Sequence, residues 1–244
     1  MGESHGINQE IFTLALGRSL MRKIFWDDPY QCELITHIVS VNGNRILLEE
    51  TIAFSFSGGQ ESDAASINGI EVARSEMDGQ LIYYILPEGH GLVSGERVKM
   101  LIDWPRRYRL MRLHFAAELI LELVTRKLGI LKIGAHIAET KARIDFACHA
   151  NLSSELDGII MEYNDIIAAD REIKTGFSDV DNQRRFWEID GFSRVSCGGT
   201  HVKSTAEVGY VTLKRVNIGS GKERIEIKLL DDTPAPADRN HRAT

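Results

Sequence analysis

A chain of 244 residues, 43% of them apolar and 26% charged, can bury one large core or two modest ones, and its net charge of −6 argues against a strong nonspecific nucleic-acid binder. No apolar run reaches membrane length and no charged-then-apolar leader precedes a cleavage site, so nothing directs the chain into a bilayer and the cytoplasm is the expected compartment. Three scattered cysteines, Cys32, Cys148 and Cys197, fit no disulfide framework and leave a thiolate free to act as a ligand.

Residues 1–20 lack strand alternation and read as an extension ahead of a fresh start at Met21. From Leu34 to about Ile102 the signals are those of β structure. Short β-branched and aromatic runs surround Asn42-Gly43, Asn68-Gly69 and Asp78-Gly79, dipeptides suited to two-residue hairpin turns. Leu81–Leu86 reads as a buried strand and Glu96–Ile102 as an alternating one, which predicts a small antiparallel barrel over 21–103. Within it, Ser57-Gly58-Gly59-Gln60 breaks the pattern; such a loop lets backbone N–H groups approach a ligand, and equally serves as a barrel corner.

The Trp104-Pro105 break opens a helix whose apolar stripe, Leu113, Ala116, Ala117, Ile120, Val124 and Leu128, runs to a stop at Gly129. His114 and Glu118 share one face at the edge of that stripe, as a solvated i,i+4 pair or as part of a site. Arg106, Arg107, Arg109 and Arg112 at the helix start are candidate phosphate contacts, or a solvated helix start; Arg184-Arg185 and Lys214-Arg215 are weaker candidates. Ala142–Ala147 is predicted as a strand, Ser153 as the N-cap of a second helix ending near Asp170, Arg185–Ile189 as a strand, and Tyr210–Val216 with Arg224–Leu229 as a hairpin. The second domain, 104–230, is therefore expected to be α+β, with helices on an antiparallel sheet, and residues 231–244 a flexible tail.

Cys197-Gly198-Gly199-Thr200-His201 places a thiolate and an imidazole four residues apart around a Gly-Gly turn. A zinc site takes three or four protein ligands at about 2.0 to 2.3 Å, so the remaining ligands must come from elsewhere, and His114 with Glu118 is the candidate pair.

These residues resemble the AlaX-type family of freestanding alanyl-tRNA editing proteins, related to the editing domains of alanyl- and threonyl-tRNA synthetases. The resemblance runs from about Met21 to Leu229. It rests on Cys197–Val202 followed by Thr205–Gly209, on Thr51 and Ser57–Gln60 with Ser62-Asp63, on Arg112 with His114, and on Gly191-Phe192. It implies an N-terminal barrel bearing the Gly-Gly-Gln loop, a C-terminal zinc-bearing editing domain, tRNA as partner, and hydrolysis of serine or glycine from the tRNA for alanine. Carried over, Thr51 would sense the substrate side chain, and Ser57, Gly58, Gly59, Gln60, Gly198, Gly199 and Thr200 would line the pocket. His114, Cys197 and His201 would hold Zn2+. Glu118 stands where the family has a second histidine, so it is first a ligand, second a general base, third the mark of a lost site. Phe56, Glu61 and Ser196 are further departures. Against a deacylase of these esters stand a noncatalytic or repurposed module that keeps the fold to bind metal or tRNA, and a deacylase for another small aminoacyl ester.

Overall fold

The computed structural model describes residues 21–219 and 221–230; the expected N-terminal extension and C-terminal tail lie outside the described residues. The architecture is α+β with mostly antiparallel sheets.

The chain opens with β1 (Arg22–Lys23) and a short helix α1 (Ile24–Asp27). There follow β2 (Glu33–Asn42), β3 (Arg45–Leu48), β4 (Glu50–Thr51), β5 (Ala65–Ile67), β6 (Ile70–Glu71), β7 (Arg74–Asp78), β8 (Leu81–Ile85) and β9 (Arg97–Ile102). Seven of these form one sheet in the order β6-β5-β9-β2-β3-β8-β7, while β1 pairs in parallel with β4. The sheet is curled rather than flat for two reasons. The first half of β2 pairs with β9 and its second half with β3, with a register shift between Ile38 and Ser40. The two edge strands β6 and β7 are successive halves of one segment that crosses from β5 to β8, through Val72 N–H to the Ala65 carbonyl and Ala73 N–H to the Ile85 carbonyl. Alternate side chains of β2, β8 and β9 point inward, and Ile38, Ile46, Leu48, Ile82, Tyr84, Val98 and Met100 form the interior.

A 25-residue helix, α2 (Trp104–Leu128), comes next. Its ends are where the sequence puts them: the Asp103 carboxylate accepts from Arg106 N–H at 3.0 Å, Pro105 sits in the first turn, and Gly129 takes the left-handed C-cap conformation. The predicted one-sided stripe is too narrow, because α2 is buried nearly all round between Arg107 and Val124. Around it lie β10 (Leu131–Ile137), β11 (Ala142–Ala147), α3 (Ser153–Ala168), β12 (Lys174–Asp179), β13 (Arg184–Ile189), β14 (Ser193–Ser196), α4 (Thr205–Val208), β15 (Val211–Asn217) and β16 (Lys222–Leu229). Strands β10-β11-β16-β15 form one antiparallel sheet against which α2 packs, and β12-β13-β14 form another. A second hydrophobic cluster, from Tyr108 to Ile227, fills the space between them.

Ser153 begins α3 but does not cap it. Asn151, two residues earlier, accepts the Ser153 N–H at 2.8 Å and takes over that task.

A thiol and two buried imidazoles at the junction of helix and loop

Strand β13 pairs with β14, which carries the chain to Cys197, whose N–H bonds to the Arg185 carbonyl at 3.0 Å. The loop that follows is pinned on three sides. Trp26 Nε1–H donates to the Gly198 carbonyl at 2.8 Å, and Lys203 N–H donates to Tyr30 Oη, which donates in turn to Glu207. Gln60 makes a paired contact with Thr200, its Nε2 donating to Oγ1 at 2.9 Å and its Oε1 accepting from the backbone N–H at 3.2 Å. Gln60 is delivered by a tight turn in which Ser57 and Gln60 exchange backbone hydrogen bonds across Gly58 and Gly59, both at positive φ. The Ile137 N–H bonds to the Gly59 carbonyl at 2.7 Å and docks this turn on the end of β10.

These contacts bring His201 and Cys197 against His114 of the buried helix. Cys197 Sγ lies 3.4 Å from His114 Nε2 and 3.3 Å from His201 Nε2. Donor atoms of these three residues all fall within 4.8 Å of one another. Sulfur and nitrogen donors placed tetrahedrally around zinc, at about 2.3 and about 2.0 Å, stand about 3.5 Å apart. The donor types and their spacing therefore fit such an ion. Phe115 supports the cluster from below, edge-on to both His201 and Trp187.

Glu118 stands one helical turn from His114, with Oε1 at 3.7 Å from His114 Nε2. Its other oxygen accepts from Trp187 Nε1–H at 2.9 Å. Burial alone would push the Cys197 thiol up, but the two imidazoles bring it down to about 6. Burial likewise opposes charge on His114, and the neighbouring Cys197 and Glu118 outweigh it, raising the ring to about 10. The carboxyl of Glu118, which burial would raise, is held down to about 2 by His114 and then Trp187. Without an ion, the cluster is thus a thiolate–imidazolium pair with a carboxylate beside it.

Several residues expected at the site are placed otherwise. Thr51 lies in the interior of the curled sheet; its Oγ1 is hydrogen-bonded to Tyr84 Oη at 2.5 Å and accepts from Ala53 N–H at 3.1 Å, leaving no free hydroxyl to sense a substrate. Gln60 and Thr200 are buried and bonded to each other, so they hold the loops together rather than line an open pocket. Arg107 and Arg112, expected among the tRNA contacts, are 0% and 1% exposed: Arg107 pairs with Asp63, and Arg112 donates to the Val208 carbonyl at 3.0 Å. Arg106 and Arg109 reach the surface but are tied to Glu61 and Glu139. Ser57 and Gly198 do face open space, a cleft of about 220 Å³ between the curled sheet and the tip of the β12–β13 hairpin. Trp26 and Trp187 were not singled out from the sequence; each acts through one indole N–H on a partner far away in the chain.

Residues 185–226 match the family described as the threonyl and alanyl tRNA synthetase second additional domain. The chain is 33% identical over 216 residues to the alanyl-tRNA editing protein AlaX-M of Pyrococcus horikoshii, an alignment covering 86% of this chain and 99% of that protein. It is 32% identical to the AlaX-M protein of Saccharolobus solfataricus, covering 84% and 98%. An alanine–tRNA ligase of Methanococcus maripaludis is 28% identical over 83% of this chain, which spans 25% of the ligase.

Proposed function

The chain belongs to the AlaX family of alanyl-tRNA editing proteins, and we propose that it hydrolyses the ester joining serine or glycine to the tRNA for alanine. The observation that carries this reading is the convergence of His114, Cys197 and His201, two imidazoles and a thiol from a buried helix and a pinned loop, at zinc-donor spacing. These three would hold the ion, and zinc, when bound, supplies a Lewis acid to a water or an ester carbonyl. Two functional units are proposed, 21–103 and 104–230, supported by two separate hydrophobic clusters. Acting on charged tRNA, the protein would work in the cytoplasm.

Glu118 is assigned the proton. It accepts one from the attacking water as the C–O bond to the carbonyl carbon forms, and returns it to the ribose oxygen as the ester C–O bond breaks. Support for this role over direct ligation comes from Oε2, already engaged by Trp187, and from the three donors that cluster without it. A His114 nitrogen that ligates an ion is neutral, and the charge of the ion would then stand beside Glu118 in place of the imidazolium's.

The test is clearance of Ser-tRNA(Ala) and Gly-tRNA(Ala), with Ala-tRNA(Ala) as control, alongside zinc content of the same preparation. Zinc-dependent loss of either mischarged ester, slowed by about 10² to 10⁴ in Glu118→Gln with zinc retained, is the expected result. Bound zinc with all three esters intact would overturn the deacylase reading for these substrates in favour of a noncatalytic module or a deacylase for another small aminoacyl ester.

A further inference from the structure

Two cations are buried beside the cysteine loop, Lys23 in the lining of the cleft and Arg185 against Trp26 of the same lining, and neither is paired with a carboxylate among the described residues. Lys23 and Arg185 are each 7% exposed. Lys23 Nζ donates to Gln183 Oε1 at 2.6 Å and stands 4.5 Å from the Trp26 ring centre. Arg185 donates to the Trp26 carbonyl at 3.1 Å, and its guanidinium carbon is 5.4 Å from the same ring and 4.6 Å from that of Phe177. Neither residue takes part in an ion pair with a carboxylate among the described residues; of the two negative groups felt by Arg185, Asp27 is bonded to Arg22 and the Cys197 sulfur faces His114 and His201.

Isolated charges are expensive to bury, and the usual remedies are a paired opposite charge or loss of the proton. Arginine does not lose its proton, and burial brings Lys23 down only to about 8, so both are mainly cationic at neutral pH. Lys23 lines the cleft with Ser55, Ser57, Gln80, Asn182 and Gly198, Arg185 lies against Trp26, another of its lining residues, and no carboxylate lines it among the described residues, in a chain with 35 acidic residues against 29 basic. Its polar groups and Lys23, with Arg185 against the Trp26 ring, match an anion with several acceptor oxygens, and Trp26 adds a flat apolar face of the kind bases stack on. Its position ties it to the cluster: Trp26 is bonded to Gly198, and Arg185 sits directly across the strand pair from Cys197.

We infer that Lys23 and Arg185 form a phosphate anchor for the 3′ end of the substrate RNA, gripping the last phosphodiester so that the ester-bearing ribose reaches His114, Cys197 and His201. The inference rests on the editing reading for the identity of the ligand, but its test does not depend on hydrolysis. An uncharged RNA hairpin with a single-stranded 3′ tail is titrated at fixed salt against the parent and Lys23→Met, with the last linkage either natural or an uncharged methylphosphonate. Lys23→Met is expected to weaken binding about tenfold, the scale of one hydrogen-bonded charge contact, the uncharged linkage, which forfeits both cations, about a hundredfold, and the two together no more than the uncharged linkage alone. Lys23→Arg should keep parental affinity, and Arg185→Gln should repeat the pattern if Lys23→Met fails to fold.

Full affinity of Lys23→Met for the natural RNA, or losses that simply add, would overturn the anchor. A parent that clears mischarged tRNA yet binds both RNAs equally sinks the anchor alone. A parent that discriminates the linkage yet clears no ester sinks the editing reading alone and leaves the anchor standing.

Discussion

Gly199 is held to glycine by its neighbours, not by its backbone angle. A Cβ there would collide with Cε1 and Nδ1 of His114 and lie 2.8 Å from Gln60 Oε1. The Gly-Gly pair reads in the sequence as a turn, yet what it provides is an approach close enough for Cys197 and His201 to flank a helix side chain. Gly199→Ala must therefore displace His114, and zinc affinity, measured by competition with a chromophoric chelator, should fall by about 10- to 100-fold. Gly198→Ala, whose Cβ would meet nothing within 4 Å, should hold zinc as the parent does. Equal losses in both variants would mean that the loop, rather than the contact with His114, sets the affinity.

Elements meet at this site through single side chains, and the Gln60–Thr200 pair joins the Gly-Gly-Gln turn to the cysteine loop across 140 residues. If the pair acts as one unit, Gln60→Ala and Thr200→Ala should each slow ester clearance, and the double variant should be no slower than the worse single, with a coupling of about 0.5 to 3 kcal/mol in kcat/KM. Additive losses would separate the two residues. The same reasoning applies to the sheet beneath the helix, where Arg224 of β16 grips Asp145 of β11 with Nε at 2.6 Å and Nη2 at 3.0 Å, and Arg143 adds a second charge. Burial works against the Asp145 carboxylate, but Arg224 and Arg143 outweigh it and hold its pKa below the usual 3.8. A group depressed in the folded state binds fewer protons there than in the unfolded chain, so its contribution is present above pH 3.8 and is lost as pH falls below it. Acid unfolding followed by circular dichroism should accordingly be shallower in Asp145→Asn over that range, and an unchanged acid limb would remove Asp145 from the account. Such elements were legible where their signals are local: the Asn68-Gly69 hairpin, and α2 from the Trp104-Pro105 break to Gly129. The pairing of Glu118 with Trp187 was not, because nothing near either residue records a partner 69 positions away.

Across the whole molecule, the basic stretch that opens α2 shows how far charge in a sequence can mislead. The cluster reads as a surface for phosphate, and burial turns half of it inward. Arg107 leaves the helix to pair with Asp63 and donates to the Ile52 carbonyl at 2.6 Å and the Pro29 carbonyl at 3.0 Å, stitching the curled sheet to the helix that carries His114. Both partners are fully excluded from solvent. Removing one strands the other, so Asp63→Ala should destabilise the protein by about 3 to 5 kcal/mol in urea unfolding. A buried pair replaced on both sides by apolar groups is often neutral, which predicts recovery in Arg107→Met with Asp63→Leu. Here recovery should be only partial, because the Ile52 and Pro29 carbonyls lose their donor and the Phe54 N–H loses its acceptor as well. Complete recovery would show that these backbone bonds add nothing and that the pair alone fastens sheet to helix, whereas no recovery would place the stitching in the backbone bonds and not in the charges.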